Sequence, residues 1–315
     1  MKLIRGLHNL NQPLPGCVAT IGNFDGLHLG HQHVINQVKA VAEIKNLPSV
    51  VIVFEPQPVE YFAPEKAPRR LARFRDKINH ISDMGIDIMV CLQFNKELAQ
   101  LTAAQFVEKI LIDRLNLKHL VIGDDFRFGK ERCGDFKFLQ HSGQKLGFEV
   151  ENSHTLLIDD QRVSSTRIRQ CLANNDMLQA RQLLGHPYTL SGRVAHGKKL
   201  GRELGFPTIN LKMGKRPIAV NGIFAVLVKG IDNRTLRGVA SIGTRPTVNG
   251  VGTILEVYIL NFSEQVYGYC VDVEILHKIR NEEKFDSLDT LVDKINQDID
   301  EAHTYFEHNE ILETT

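Results

Sequence analysis

The sequence predicts an α/β unit built on a parallel sheet, followed by a small antiparallel β-barrel with a C-terminal helix. Three observations carry that expectation. As far as Leu184, apolar β-branched runs alternate with apolar residues at helical spacing, the pattern of a doubly wound sheet. Beyond Gly185-His186-Pro187 the pattern changes to short strand-like runs separated by turn residues, as in a barrel. A last run, Leu288 to Tyr305, places Leu291, Ile295 and Ile299 on one helical face. The expected boundary gives units of 1–185 and 186–315.

Composition bounds the function classes. The 315 residues suffice for two cores, and 43% hydrophobic with 24% charged residues marks a globular chain. A net charge of +1 gives no reason to expect a polyanion partner. No apolar run approaches the ~18 residues of a membrane span. The opening MKLIRGLHNLNQPLPG lacks the apolar core of a signal peptide, so a cytoplasmic protein is expected. Cys17, Cys91, Cys133, Cys171 and Cys270 include no CxxC pair, which favours reduced thiols over a zinc site or disulfide framework.

In the first unit, Cys17 to Ile21 reads as a buried strand, and Val34, Ile35, Val38, Val41 and Ala42 as the apolar face of the helix after it. Between them GNFDGLHLGH, Gly22 to His31, is a strand-to-helix turn. Gly22, Gly26 and Gly30 permit close backbone approach, and the amides opening the helix form an anion site. His28 and His31 share a face if the turn is already helical, where imidazoles suit charge on a transferring phosphoryl group. The turn is neither a Walker A loop nor a GxGxxG fingerprint.

Pro48 to Phe54 predicts a second buried strand, Ile88 to Leu92 a third and His119 to Ile122 a fourth; helices are expected over Asp76 to Met84 and Thr102 to Leu115. The basic run PEKAPRRLARFR, Pro64 to Arg75, is read as a solvated loop rather than a nucleic-acid patch because it is short and isolated. The fourth strand enters GDDFRFG, Gly123 to Gly129, which should share a crevice with Gly22 to His31 beyond the carboxyl ends of the strands. There Phe126 and Phe128 would cover an aromatic ring, with Asp124, Asp125 and Arg127 setting polarity. The residues fit equally a turn held by an Arg–Asp pair. Val163 to Arg169 opens a helix with Ser164 as cap and Ile168, Leu172 and Met177 facing one way, bringing hydroxyls and arginines to a helix start.

In the second unit the strand-like runs are Thr189 to Val194, Ile223 to Val228, Gly238 to Ile242, Ile254 to Leu260 and Val271 to Leu276. The glycine-rich stretch GRVAHGKKLGRELGFPTIN, Gly192 to Asn210, suits a nucleotide cover or an ordinary hairpin. Thr208 and Asn210 fall on one side of an extended strand and offer the hard oxygen donors magnesium takes alongside substrate phosphates. Glu256 is an isolated carboxylate in an apolar strand, a pattern that usually means a solvent-facing residue.

His28-Leu29-Gly30-His31 resembles the HxGH signature of the nucleotidyltransferase superfamily, whose members have a Rossmann-like sheet. The longer GNFDGLHLGH resembles the bacterial bifunctional riboflavin kinase and FAD synthetase family. The DFxFG loop matches here as Asp125 to Gly129, and VSSTRIR resembles the family's ISSTxIR motif with Val163 in place of Ile. The stretch from Gly192 fits GRVxHGxxxGRxLGFPTxN at every specified position, and Arg280 to Phe285 resembles RxExKF.

The resemblance implies phosphorylation of riboflavin by ATP to FMN with release of ADP, then adenylylation of FMN to FAD with release of pyrophosphate, with Mg2+ as cofactor. It implies a triphosphate site at Gly22, Phe24, Asp25, Gly26, His28, Gly30, His31, Ser164, Ser165, Thr166 and Arg169. Asp125, Phe126, Arg127 and Phe128 would bind the flavin there. In the kinase unit it implies nucleotide or flavin contacts from Gly192, His196, Gly197, Gly201, Arg202, Gly205, Phe206, Pro207 and Arg280. Magnesium would lie on Thr208 and Asn210, with Glu256 as general base. Tyr258 and Asn261 depart from the family's VExHxLDF pattern. An FAD synthetase with an impaired kinase barrel, and a flavin- or RNA-binding regulator using Arg69, Arg70, Arg73 and Arg75, are the competing readings.

Overall fold

The computed structural model describes residues 1–10, 12–197, 200–214, 218–247 and 250–309. The chain divides into two compact units, residues 1–68 with 73–165, and residues 69–72 with 166–315.

The first unit is a six-stranded sheet of β1 (Lys2–Arg5), β2 (Cys17–Ile21), β3 (Ser49–Glu55), β4 (Ile88–Gln93), β5 (Leu117–Gly123) and β6 (Glu149–Ser153), in the order β1-β4-β3-β2-β5-β6. Every neighbouring pair is parallel. The central strands are apolar on both faces because helices cover both: β2 is buried throughout, and β3 from Ser49 to Phe54. One layer gathers Ile21, Ile52, Leu120 and Phe128, while the other gathers Phe24, Ile35, Val51 and Ile81. β2 lies between β3 and β5, so the order reverses at β2 and the crevice beyond its carboxyl end is the topological switch point.

The four expected strands are present, with β1 and β6 added at the two edges. The helix expected over Thr102 to Leu115 starts at Ala103 under a Thr102–Gln105 capping box, then winds as a π-helix from Val107 to Ile112. A two-stranded hairpin, β7 (Leu157–Ile158) with β8 (Gln161–Arg162), precedes the next helix. That helix ends at Ala173, and Met177 opens a separate one, Met177–Leu184 capped by Asp176, so Met177 does not continue the Ile168–Leu172 face. The basic run is not a solvated loop throughout. Arg70, Leu71 and Ala72 are buried, and Arg73 pairs with Asp76 at 3.0 Å.

The second unit is a closed barrel of β9 (Thr189–Ala195), β10 (Thr208–Lys212), β11 (Gly222–Ile231), β12 (Arg234–Thr247), β13 (Gly250–Ile259) and β14 (Cys270–Arg280), ordered β10-β13-β12-β11-β14-β9. All its ladders are antiparallel. Closure leaves no open sheet edge. The helix Leu288–His308, capped by Ser287, lays Ala302 and Phe306 on Ile223, Ala225 and Leu227.

Candidate active sites

At the end of β2 the chain turns through three left-handed residues, Phe24 (φ 46°), Gly26 (φ 81°) and Leu27 (φ 42°). For Phe and Leu this conformation is strained, and both side chains are buried in the core layer that holds it. The turn delivers His28 as the N-cap of the helix Leu29–Lys45, with its Nδ1 accepting the His31 N–H at 3.3 Å. The rings stack with centroids 3.6 Å apart and planes 17° from parallel, so both imidazoles do share one face. Gly30 is closely packed here: a Cβ would stand 3.2 Å from the His28 ring, which would have to give way by a few tenths of an ångström.

Burial, and then the charges of His28, Lys77 and Arg162, push the His31 pKa well below 6.5. His31 is therefore a neutral ring at pH 7, and its Nδ1 is buried with no hydrogen-bond partner among the described residues. Ser165 ties the VSSTRIR segment to the GNFDGLHLGH turn, its Oγ donating to the Asp25 carbonyl at 3.0 Å. Thr166 and Arg169 lie on the same helix, Ser165–Ala173, where the Arg169 Nε donates to the Arg69 carbonyl at 2.6 Å.

β5 neighbours β2, so Gly123 to Gly129 opens beside this turn. Within the loop, hydrogen bonds from Asn152 and Thr155 hold the Asp124 carboxyl below its usual range. Asp125 pairs with Arg162 at 2.9 Å, both being exposed. Phe126 is half-buried and stacks on Phe128 at 5.5 Å, while Phe128 is buried against Phe106 and Phe138. Phe128 thus supports the loop from the core, leaving Phe126 the better placed of the two to face a ligand. Unforeseen in the sequence, Tyr61, Phe62 and Phe94 meet edge-on near the carboxyl ends of β3 and β4, with 66% of Phe62 exposed. Pro58 and Pro64 around an exposed Tyr-Phe pair were the available signal.

In the barrel, Asn210 stands opposite Glu256 and Thr208 opposite Tyr258 across the β10–β13 ladder, while Ser241 flanks Glu256 from β12. Alternation then sends Thr208, Asn210, Glu256 and Tyr258 to one side, where they line a cavity of about 320 Å³ together with Gly201, Phe206 and Arg280. Glu256 is thus a cavity residue and not the usual solvent-facing strand carboxylate. Gly197 lies under Asn210, where a Cβ would fall 2.5 Å from the amide nitrogen. Arg280 is fixed by Asp298 at 2.6 and 2.8 Å, and its guanidinium lies 5.5 Å from the Phe285 ring centre.

Other sequence-predicted residues lie away from that cavity lining. Gly192 is buried against Leu211, and His196 is exposed with its ring on Tyr267 at 4.0 Å. Gly205 sits at φ 90°, and Pro207 is exposed. Lys198, Lys199 and the side chain of Arg202 lie outside the described residues. Of the two departures, Tyr258 lines the cavity with Phe206 edge-on at 5.7 Å, whereas Asn261 is an exposed left-handed turn residue at φ 54°. Among the described residues no three His, Cys, Asp or Glu side chains gather as a metal site.

Comparison with known proteins gives two family matches, FAD synthetase over residues 10–167 and riboflavin kinase over residues 184–306. A curated relative from Haemophilus influenzae named bifunctional riboflavin kinase/FMN adenylyltransferase is 46% identical over 97% of this chain and 99% of its own length. Relatives of the same name from Escherichia coli and Pseudomonas fluorescens are 46% and 47% identical over 97% and 95% of this chain, and 98% and 96% of their own lengths. A crystal structure titled as a macrolide-efflux protein from Streptococcus pneumoniae superposes with a TM-score of 0.77 at 30% identity, covering 96% of this chain and 99% of that one. Among the described residues no helix is long and apolar enough to cross a membrane.

Proposed function

The chain belongs to the bifunctional riboflavin kinase/FMN adenylyltransferase family, and on that premise we propose a role for each residue at its two sites. The enzyme phosphorylates riboflavin with ATP to FMN and ADP, then adenylylates FMN with ATP to FAD and pyrophosphate.

The observation that carries the kinase assignment is the gathering of Glu256, Asn210 and Thr208 on one cavity wall. Glu256 takes the proton of the ribityl hydroxyl as its oxygen attacks the γ-phosphorus, and the bond to ADP breaks. A hydroxyl and an amide oxygen, with no thiol or imidazole in the lining among the described residues, fit magnesium carried on substrate phosphates. Held there by Thr208 and Asn210, the ion would offset charge on the transferring phosphoryl group. Gly201, Phe206 and Arg280 line the cavity and would contact nucleotide and flavin, while for Gly192, His196, Gly197, Arg202, Gly205 and Pro207 that role rests on the family motif alone.

In the adenylylation reaction an FMN phosphate oxygen attacks the α-phosphorus of ATP and pyrophosphate leaves. A phosphate nucleophile needs no strong base, so His28, His31, Ser164, Ser165, Thr166 and Arg169 act by positioning and charge stabilisation. Gly22, Phe24, Asp25, Gly26 and Gly30 shape the turn that admits the triphosphate. Asp125, Phe126 and Arg127 receive the flavin, backed by Phe128. We put the boundary between the two catalytic modules at Gly185, whose left-handed conformation ends the last helix before β9, although the compact units divide earlier, after Ser165.

Chromatography of products from riboflavin, ATP and magnesium tests the whole reading. FMN followed by FAD is expected. Absence of FMN with FAD still formed from supplied FMN would restrict the enzyme to adenylylation.

A further inference from the structure

One buried charge takes no part in either reaction as assigned. Lys77, on the helix Phe74–Asp83, is 1% exposed and is among the largest fully buried side chains of the described residues. Burying an ammonium is costly unless strong partners meet it. Its Nζ donates to the Asn23 carbonyl at 2.5 Å, in the middle of the turn that presents the histidines. That peptide precedes Phe24, whose left-handed backbone is strained for a bulky residue. In a trans peptide the N–H opposes the carbonyl, so drawing the Asn23 carbonyl toward Lys77 also sets the direction of the Phe24 N–H. The Asp25 carbonyl, two residues on, is held by Ser165. Two side chains distant in sequence therefore tie down the turn, one at each end of the Phe24-Asp25 pair.

We propose that Lys77 is a positioning residue for adenylyl transfer, its ammonium holding the Asn23 carbonyl so that His28 and His31 are presented to the triphosphate in fixed geometry. The proposal rests on the adenylylation site assigned above. At 1% exposed, Lys77 offers a substrate almost no surface and would act through the turn. Its charge also contributes to the field at His31, which favours an anionic substrate over a second proton. The residue acts through the turn, so its loss should lower turnover more than it lowers FMN affinity.

The test uses the full chain with Lys77→Met and Lys77→Arg, measuring FAD synthesis from supplied FMN, riboflavin phosphorylation and thermal unfolding. In Lys77→Met, kcat for FAD synthesis should fall about 10- to 100-fold, the loss expected of a misplaced constellation, with KM for FMN within about 2-fold and the kinase rate unchanged. Lys77→Arg should recover part of kcat. A folded Lys77→Met with wild-type kcat overturns the proposal. If the Met variant does not fold, Lys77→Gln is read the same way: a lowered kcat with an intact kinase supports the proposal, and an unchanged kcat overturns it. A parallel His28→Ala/His31→Ala variant separates the two readings, since wild-type FAD synthesis in that variant removes the site itself, whereas loss there with no effect at Lys77 removes only the positioning role.

Discussion

Arg280 and Asp298 meet fork to fork, Nε to Oδ1 at 2.6 Å and Nη2 to Oδ2 at 2.8 Å, with both side chains largely out of solvent. One residue ends β14 and lines the kinase cavity; the other comes from the helix Leu288–His308. The guanidinium is thereby aimed and neutralised at once. Asp298→Ala should destabilise the protein by roughly 1–3 kcal/mol, because it removes two charge-assisted hydrogen bonds from a mostly buried cation that keeps the Asn281 carbonyl and Glu283. Adding Arg280→Met should restore part of that loss, as the cation is then gone. Denaturant unfolding of the single and double variants checks both, and additive losses would show that the pair is not coupled.

The stacked histidines yield a prediction that separates the units. His28→Ala with His31→Ala should abolish FAD formation while FMN formation persists, since the residues proposed for the kinase all lie in the second unit. Wild-type FAD synthesis from supplied FMN in the double variant would remove the adenylylation assignment.

Strands and signatures that bury apolar runs or concentrate glycine were legible in the sequence; residues that work against their local pattern were not. β6, EVENS, is an edge strand with little apolar content, and two of its carboxylates, Glu149 and Glu151, serve the two nitrogens of His119 at 2.9 and 3.0 Å. No hydrophobic run marks it. β1 buries only Ile4 and was equally silent. Lys77 and Asp298 are charges on apolar helix faces, beside Phe74, Ile78 and Ile81 in one case and Ile295, Ile299 and Ala302 in the other. Such residues read as noise in a periodicity, although a charge on a buried stripe is itself a sign that a partner waits there. Phe128 shows the converse: a motif names it beside Phe126, and only packing reveals which ring faces the core.

His31 makes stability depend on pH. Burial first, then the charges of His28, Lys77 and Arg162, lower its pKa well below 6.5 in the folded chain. The unfolded chain titrates near the ordinary value, so below about 6.5 it binds the proton that the folded chain refuses. This contribution to stability is complete above that pH and is lost as pH falls from there toward the lower folded value. Unfolding at about pH 7.5 and about pH 5.5, bracketing the ordinary histidine range, should show a smaller acid-side loss in His31→Gln than in the parent. Equal losses would mean that folding does not hold this ring neutral.

The sharpest prediction concerns Glu256, which stands across the ladder from Asn210 and beside Ser241 in the cavity wall. Glu256→Gln keeps the size and most of the hydrogen-bonding capacity of the side chain but cannot accept the ribityl proton. If it is the base, the phosphoryl-transfer step should slow by about 10²- to 10⁴-fold, the range for loss of general-base catalysis. Riboflavin and ATP affinities should change little, because the cavity shape and the Thr208 and Asn210 oxygens remain. FAD synthesis from supplied FMN should continue, since its residues lie outside the barrel cavity. A carboxylate that merely filled the wall would behave differently: the isosteric change would alter stability by no more than ~0.5 kcal/mol and leave the rate alone. Single-turnover phosphorylation measured beside FMN-dependent FAD synthesis distinguishes these cases. An unchanged kinase rate removes Glu256 from the chemistry, and a parallel loss of both activities marks a folding defect.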